Sequence, residues 1–233
     1  MGLRDIFKKK DDLPKKTEVI EDYKLDNIIY RKINDVLWLQ PYDAERFFTV
    51  GEIDAQLLSA GIDDEETKNY LPGLTVSKDD LKKKVLAVEA GIRISYLITL
   101  NKMPVGMINL DPPKANRVQH NMPIWTMDYF VINSLRNKGI MTDCFPALLK
   151  LMAKNIGISE IYAWVHEDNT ISIGILEKFF FRTVNSIPLH DSSKRPIIAP
   201  HFMAFKCPLN ELVFGDGQIR CPSYWADKQT LVY

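Results

Sequence analysis

The stretch Ile132-Asn133-Ser134-Leu135-Arg136-Asn137-Lys138-Gly139-Ile140-Met141-Thr142 lies between a segment with strand alternation and one with helical periodicity. A helix start exposes backbone N–H groups that have no intrahelical partner, together with the positive end of the helix dipole. A glycine-containing loop at that point can wrap a pyrophosphate, with Arg136 and Lys138 adding positive charge. Taken alone, such a loop reads equally well as a solvated turn. Further on, Glu167-Asp168-Asn169 ends the next strand, and Ser172, Lys178 and Phe181 follow on a helix. Asp168 or Asn169 would cap that helix. Capping does not explain why the two segments occur in this order at this separation.

Strands and helices must hold these segments in place. Residues 27–40 carry Ile28, Ile29, Tyr30, Ile33, Val36, Leu37 and Trp38, a strand and its continuation closed by Pro41. Residues 43–48 and 52–60 read as two short helices. Ser77 with Asp80 forms a capping box ahead of a helix carrying Leu81, Val85 and Val88. Alternation over 92–100, the run 105–110 and the run 123–132 give three strands, with the Asp111-Pro112-Pro113 segment opening a polar loop. A helix near 142–155, kinked at Pro146, a strand at 160–166, a helix at 170–180 and strands near 183–189 and 197–207 follow. The sum is an α/β (α+β) chain with a mixed sheet, antiparallel first and then switching through β-α-β crossovers, with helices on both faces. Ligands favour the place where strand order changes. In the strand at 123–132, alternation puts Thr126, Asp128 and Phe130 on one face and Trp125, Met127 and Tyr129 on the other.

In order and spacing, the two segments resemble the GNAT acetyltransferase superfamily, in particular its RimJ/RimL-like branch. There an R-x-x-G-x-G/A loop after the fourth strand binds the coenzyme pyrophosphate, and an N-x-x-S…E-K-x-G-F segment follows the fifth. This chain offers Arg136, Gly139 and Met141 for the first, and Asn169, Ser172, Glu177, Lys178 and Phe181 for the second. Met103-Pro104-Val105-Gly106 matches a strand start common in the family, and the likeness extends over residues 27–206. Four positions depart from the pattern. Met141 stands where Gly or Ala is usual, Phe180 where Gly precedes the final Phe, Thr126 where several relatives carry a catalytic Glu, and Leu176 where many carry a Tyr acid.

The resemblance implies a GNAT-like mixed central sheet of about seven strands. It implies direct transfer of an acetyl group from acetyl-CoA, as co-substrate, to a primary amine, with no metal and no covalent enzyme intermediate. The acceptor would be a protein N-terminus or a small amine. The coenzyme arm would pair with the backbone of Phe130, Val131 and Ile132. The phosphates would meet Arg136, Asn137, Lys138, Gly139, Ile140, Met141 and Thr142, with Asn169 and Lys178 contributing from the next helix. Asp128 is the candidate base, and Ser172 or Asn169 the group near the sulfur. The alternative is a catalytically degenerate member with a regulatory or protein-interaction role, resting on the four departures.

Composition narrows the partners. Thirty basic residues balance thirty acidic ones, which gives no field to gather nucleic acid or anionic lipid. Cys144, Cys207 and Cys221 form no C-x-x-C pair, as expected of a reducing cytoplasm. No run approaches the apolar length of a transmembrane helix. One domain is expected over 27–208, after a flexible N-terminal segment at 1–26 and before a tail at 209–233, whose aromatic residues would dock on the chain's own core or on a second subunit of a homodimer.

Overall fold

The computed structural model describes residues 22–25, 28–34, 36–71, 74–194, 201–215, 218–221 and 230–232. Residues 1–21 of the expected N-terminal segment lie outside these, and Asp22–Leu25 forms strand β1. The apolar run expected as one strand with its continuation folds as a hairpin of β2 (Ile28–Lys32) and β3 (Leu37–Pro41). Asn34 causes the reversal, because its side-chain oxygen accepts from the N–H groups of Val36 and Leu37 at 3.0 and 2.8 Å.

The two short helices expected after β3 are one, α1 (Ala44–Ile62), capped by Asp43. Gly51, between the two expected helices, lies inside α1. It makes room for a neighbour on its own helix, since a Cβ there would sit 2.8 Å from Phe47 Cδ2. A buried bidentate pair between Arg46 and Asp54, at 2.8 and 2.5 Å, ties two turns of α1 together. Helices α2 (Glu65–Tyr70) and α3 (Lys78–Glu89) follow, the latter with the Ser77–Asp80 capping box read from the sequence.

Strands β4 (Ile94–Leu100) and β5 (Met103–Asp111) lead to α4 (Pro113–His120), which occupies the segment expected as a polar loop. Two prolines read as loop, yet Pro113 sits in the first turn, where no intrahelical N–H is needed and its fixed φ suits a helix. Then come β6 (Trp125–Val131), α5 (Ile140–Lys150) with a π turn at Leu151–Ile156, β7 (Ile161–His166) and α6 (Thr170–Lys178). The strand expected at 183–189 is only β8 (Arg182–Thr183). It pairs with β9 (Phe202–Cys207), and the Val184 N–H still bonds the Ala204 carbonyl at 3.0 Å, while Ile187 and Leu189 leave the ladder and, with Val184, pack with Tyr162 and Trp164.

The main sheet has nine strands in the order β1-β2-β3-β4-β5-β6-β7-β9-β8. The seven from β3 to β9 form the expected mixed sheet, and β1 and β2 extend one edge. Every neighbouring pair is antiparallel except β6 with β7. The parallel ladder runs only from Trp125–Ile161 to Met127–Ala163. Beyond it β6 continues to Val131 and β7 to His166, so the strand order changes where the two strands also separate. The tail carries β10 (Val213–Gly215), β11 (Gln218–Arg220) and β12 (Thr230–Val232), and its Leu209, Leu212 and Ile219 join the main core. Among the described residues, no helix is long and apolar enough to cross a membrane.

Candidate active site

A cavity of about 370 Å³ fills the gap between β6 and β7. Its walls are β6 from Met127 to Val131, β7 from Ala163 to Val165, the loop and first turn of α5, the start of α6, and one side of α2. At one end the chain reaches α5 through Asn137 and Gly139, both in the left-handed region (φ 59° and 83°). Nothing lies within 4 Å of where a Gly139 Cβ would be, so glycine is needed there for its backbone conformation and not for space. No side chain caps α5. Its first N–H groups are therefore left for a ligand. Met141, the departure from the family pattern, is buried in the main core and also lines the cavity.

The guanidinium of Arg136 makes its bonds away from the loop. Nη1 donates to Asp64 at 2.9 Å and Glu66 at 3.0 Å, Nη2 to Asp64 at 3.2 Å and to the Thr67 hydroxyl, and Nε to the Val131 carbonyl at 3.2 Å. Asp64 also caps α2 through the Thr67 N–H. Against burial, which would raise it, the bonds from Arg136 and Thr67 hold the Asp64 carboxyl below its ordinary range. Arg136→Ala should therefore cost about 1–3 kcal/mol, a melting-temperature drop of roughly 2 to 12 °C for a chain of this size. A group with a depressed folded pKa contributes stability above its unfolded pKa and loses it as pH falls through the folded one. The deficit of the variant in thermal unfolding should accordingly shrink in acid, where the wild type loses the same bond.

At the other end is Asp128. Its face of β6 looks towards α3, and Asn109 on β5 donates to its Oδ1 at 2.7 Å while accepting from Ser95 at 2.8 Å. Beside it Arg93 grips Asp111 in a bidentate pair, both bonds at 2.6 Å. Burial raises the Asp128 pKa, and Arg93, the Asn109 bond and Lys84 of α3 pull only partly the other way. Such a carboxyl, partly buried and held on one oxygen, suits proton abstraction better than a solvated one. Thr126, two residues back, is committed to Asn116 of α4 at 3.0 Å.

Asn169 spends its side chain as the cap of α6, accepting from the Ser172 N–H at 3.0 Å. Both residues line the cavity, as do Phe130, Val131, Asn137, Ile140 and Thr142. Ile132, Lys138 and Lys178 do not. Ile132 is buried, Lys138 is exposed on the loop, and Lys178 lies 5.6 Å from the Phe179 ring at the far end of α6. Leu176 is buried, and Phe180 is buried in the left-handed region (φ 70°) that a glycine adopts more easily. His166 accepts from the Asp168 N–H at 3.2 Å, and Tyr70 donates to the Asp168 carbonyl at 3.3 Å, bringing α2 against the end of β7.

Sequence reasoning missed Tyr129 and Trp164. Both line the cavity, and both carry a buried polar atom, Tyr129 Oη and Trp164 Nε1, without a hydrogen-bond partner. Alternation could have singled out Tyr129, since it shares the strand of Asp128 and points to the opposite face.

The family model for the acetyltransferase (GNAT) domain matches residues 38–182. No curated protein matches the chain. Among solved structures the chain is similar to Mycobacterium smegmatis RimJ in complex with CoA-disulfide, with a TM-score of 0.54 and 16% identity over 80% of this chain and 85% of that one. It is also similar to the Salmonella typhimurium acetyl transferase that modifies the N-terminal serine of the 50S ribosomal subunit protein L7/L12, with a TM-score of 0.53 and 14% identity over 76% and 96%. A third is AAC(6')-Ib in complex with paromomycin and acetyl-CoA, with a TM-score of 0.53 and 18% identity over 75% and 94%. At these identities the likeness speaks to the fold. The family model spans more than half of the 233 residues, and the chain belongs to the GNAT acetyltransferase family.

Proposed function

We propose that the chain transfers an acetyl group from acetyl-CoA directly to a primary amine, on a protein N-terminus or a small molecule. One observation carries this reading: a single cavity joins the uncapped start of α5 to Asp128 through the gap where β6 and β7 part. The N–H groups of the loop and first helical turn, from Gly139 to Thr142, would hold the pyrophosphate, with exposed Lys138 adding charge. Arg136 would act by bracing that loop against α2. The backbone of Asp128 to Val131, past the end of the parallel ladder, would receive the pantetheine arm as a further strand does. Asp128 would take the proton of the attacking amine.

Direct transfer is supported by the cysteines. All three are free and buried, and burial pushes the Cys144 thiol far above its usual value, so it presents no thiolate to carry an acyl group. The same free thiols support a cytoplasmic location. An amine acceptor is supported by the similar structures, one of which modifies an N-terminal serine and another of which holds paromomycin. The wall nearest Asp128 is then an acceptor wall. Trp164 lines it, in one apolar cluster with Val184, Ile187 and Leu189 of the loop that Asn121 clips down through the Asp191 and Lys194 carbonyls at 2.7 and 3.1 Å.

Thermal unfolding with acetyl-CoA, CoA, ATP and NAD tests the reading. A ligand at a hundred times its dissociation constant stabilises by about 2.7 kcal/mol, roughly 5 to 11 °C for a chain this size. Shifts with acetyl-CoA and CoA but not with NAD are expected. No shift with either coenzyme would sink the proposal and favour the degenerate, regulatory reading.

A further inference from the structure

Directly opposed residues on β4, β5 and β6 form a polar row across the sheet. Ser95 of β4 pairs with Asn109 of β5, and Asn109 pairs with Asp128 of β6. The Ser95 hydroxyl donates to Asn109 Oδ1 at 2.8 Å, and Asn109 Nδ2 donates to Asp128 Oδ1 at 2.7 Å. Ser95 and Asn109 are each 2% exposed. Folding alone does not call for polar groups there, since an apolar pair of the same shape would be nearly neutral or stabilising. Each bond of the row points its donor towards Asp128.

The neighbouring carboxylate on the same face makes the contrast. Asp111 lies two residues from Asn109 on β5, and Arg93 grips both its oxygens at 2.6 Å. A carboxylate held on both oxygens by a guanidinium is committed and makes a poor proton acceptor. Asp128 is held on one oxygen by a neutral amide, and among the described residues none bonds its Oδ2. Asp128 also lines the cavity. We propose that Asn109 is a positioning residue which, backed by Ser95, fixes the Asp128 carboxylate by Oδ1 and leaves Oδ2 to take the proton of the attacking amine. This rests on the acetyl-transfer reading above, with Asp128 as its base.

The amide acts by direction and by charge. Having no charge, it orients the carboxylate without suppressing its basicity as a paired cation would. It still favours the ionised form, because Nδ2 can only donate. Burial raises the Asp128 pKa. Arg93 opposes that first, then the Asn109 bond and Lys84 of α3, while Asp111 adds to the rise. Ser95 acts at one remove. By occupying Asn109 Oδ1 it keeps the amide from turning that oxygen to a protonated Asp128, which would stabilise the neutral acid.

Asn109→Leu, which keeps the branched shape of the side chain, and Ser95→Ala, both in the full chain, are the test. The carboxyl carbon resonance of Asp128, assigned by its loss in Asp128→Asn and followed with pH, needs no turnover. Its pKa should rise by about one unit in Asn109→Leu, a tenfold change in the protonation equilibrium, and by less, in the same direction, in Ser95→Ala. The double variant should move it no further than Asn109→Leu does, because the hydroxyl acts only through the amide. With a short peptide carrying a free N-terminal serine as the amine, the plateau turnover of Asn109→Leu should fall roughly ten- to hundredfold. Its acid limb should move up with the carboxyl, and the KM for acetyl-CoA should stay unchanged. Asp128 titrating as in wild type in either single variant overturns the proposal, as does a double variant shifted by the sum of the two. A wild-type protein that binds neither CoA nor acetyl-CoA instead overturns the acetyl-transfer reading itself, and the binding isotherm reads that outcome without reference to Asn109.

Discussion

Asp128→Asn should lose turnover by roughly 10²- to 10⁴-fold, the range of a general base, while binding acetyl-CoA as wild type does and unfolding at a higher temperature near neutral pH. The first part follows from chemistry, since an amide cannot take the amine proton. The second follows because the variant keeps the acceptor oxygen that Asn109 bonds at 2.7 Å, so the backbone of β6 has no cause to move. The third follows from linkage. Burial raises the Asp128 pKa above its unfolded value, with Arg93, the Asn109 bond and Lys84 opposing. Between the two pKa values the folded state therefore binds more protons than the unfolded one, and stability falls as pH rises through that window. At neutral pH the wild type carries the cost of a buried charge, and the asparagine does not. The same shift should place the acid limb of the wild-type pH–rate profile above the ordinary carboxylate range, with activity rising as Asp128 deprotonates. Measured turnover in the variant equal to wild type would remove Asp128 from the mechanism, and a lower unfolding temperature would mean that the carboxylate is held by more than Asn109.

The parts of the fold that were legible were those written in local pattern. The Ser77–Asp80 capping box formed as read, because both partners lie within four residues. Alternation placed Asp128 and Tyr129 on opposite faces of β6, where Asn109 and Phe145 now meet them. The glycine loop entered a helix start as expected, because a left-handed residue just ahead of a helix is local chemistry. Errors came where local signals were ambiguous or overruled. Pro112-Pro113 reads as a loop and also as a helix start, and only Asn116, buried and donating to the carbonyls of Asp111 and Ile124 at 2.9 and 2.8 Å, shows which won. The run after β8 is apolar enough for a strand, yet its side chains cover Tyr162 and Trp164 while Asn121 holds its backbone.

What no local pattern could show is who holds whom. Arg136 reads as a phosphate ligand from its place before Gly139. Its partners Asp64, Glu66 and Thr67 lie about seventy residues earlier and come to it only because α2 folds across the cavity. In the fold Asp54 is paired with Arg46, Asp63 with Lys68, and Asp64 and Glu66 with Arg136. Phe180 looked like a lost glycine. Its backbone still takes the left-handed conformation that glycine would supply, at a cost of about 1–2 kcal/mol, while the ring is fully buried in the core.

Gly106→Ala and Gly174→Ala should move stability in opposite directions. At Gly106 an added Cβ would lie 2.3 Å from the Phe130 carbonyl oxygen, 3.1 Å from Ile98 Cδ1 and 3.2 Å from Val131 Cα. Two of those atoms are backbone of β6, so no rotamer change relieves the clash and β5 must move away from β6. Overpacking of this kind costs typically 1–3 kcal/mol, a drop of roughly 2 to 12 °C in melting temperature. The pairing disturbed is that of β6, which carries Asp128, Tyr129 and the backbone proposed to receive the pantetheine arm, so acetyl-CoA affinity should fall with stability. At Gly174, exposed in the middle of α6, an added Cβ meets nothing within 4 Å and the helix only gains propensity, an increase of about 0.4–1 kcal/mol. Calorimetric unfolding of the two variants beside wild type, with an acetyl-CoA titration of each, reads both effects. If Gly106→Ala melts with wild type, the approach of β5 to Phe130 is looser than 2.3 Å implies and β6 needs another anchor. If it melts low but binds acetyl-CoA normally, the β6 backbone is not where the coenzyme lies.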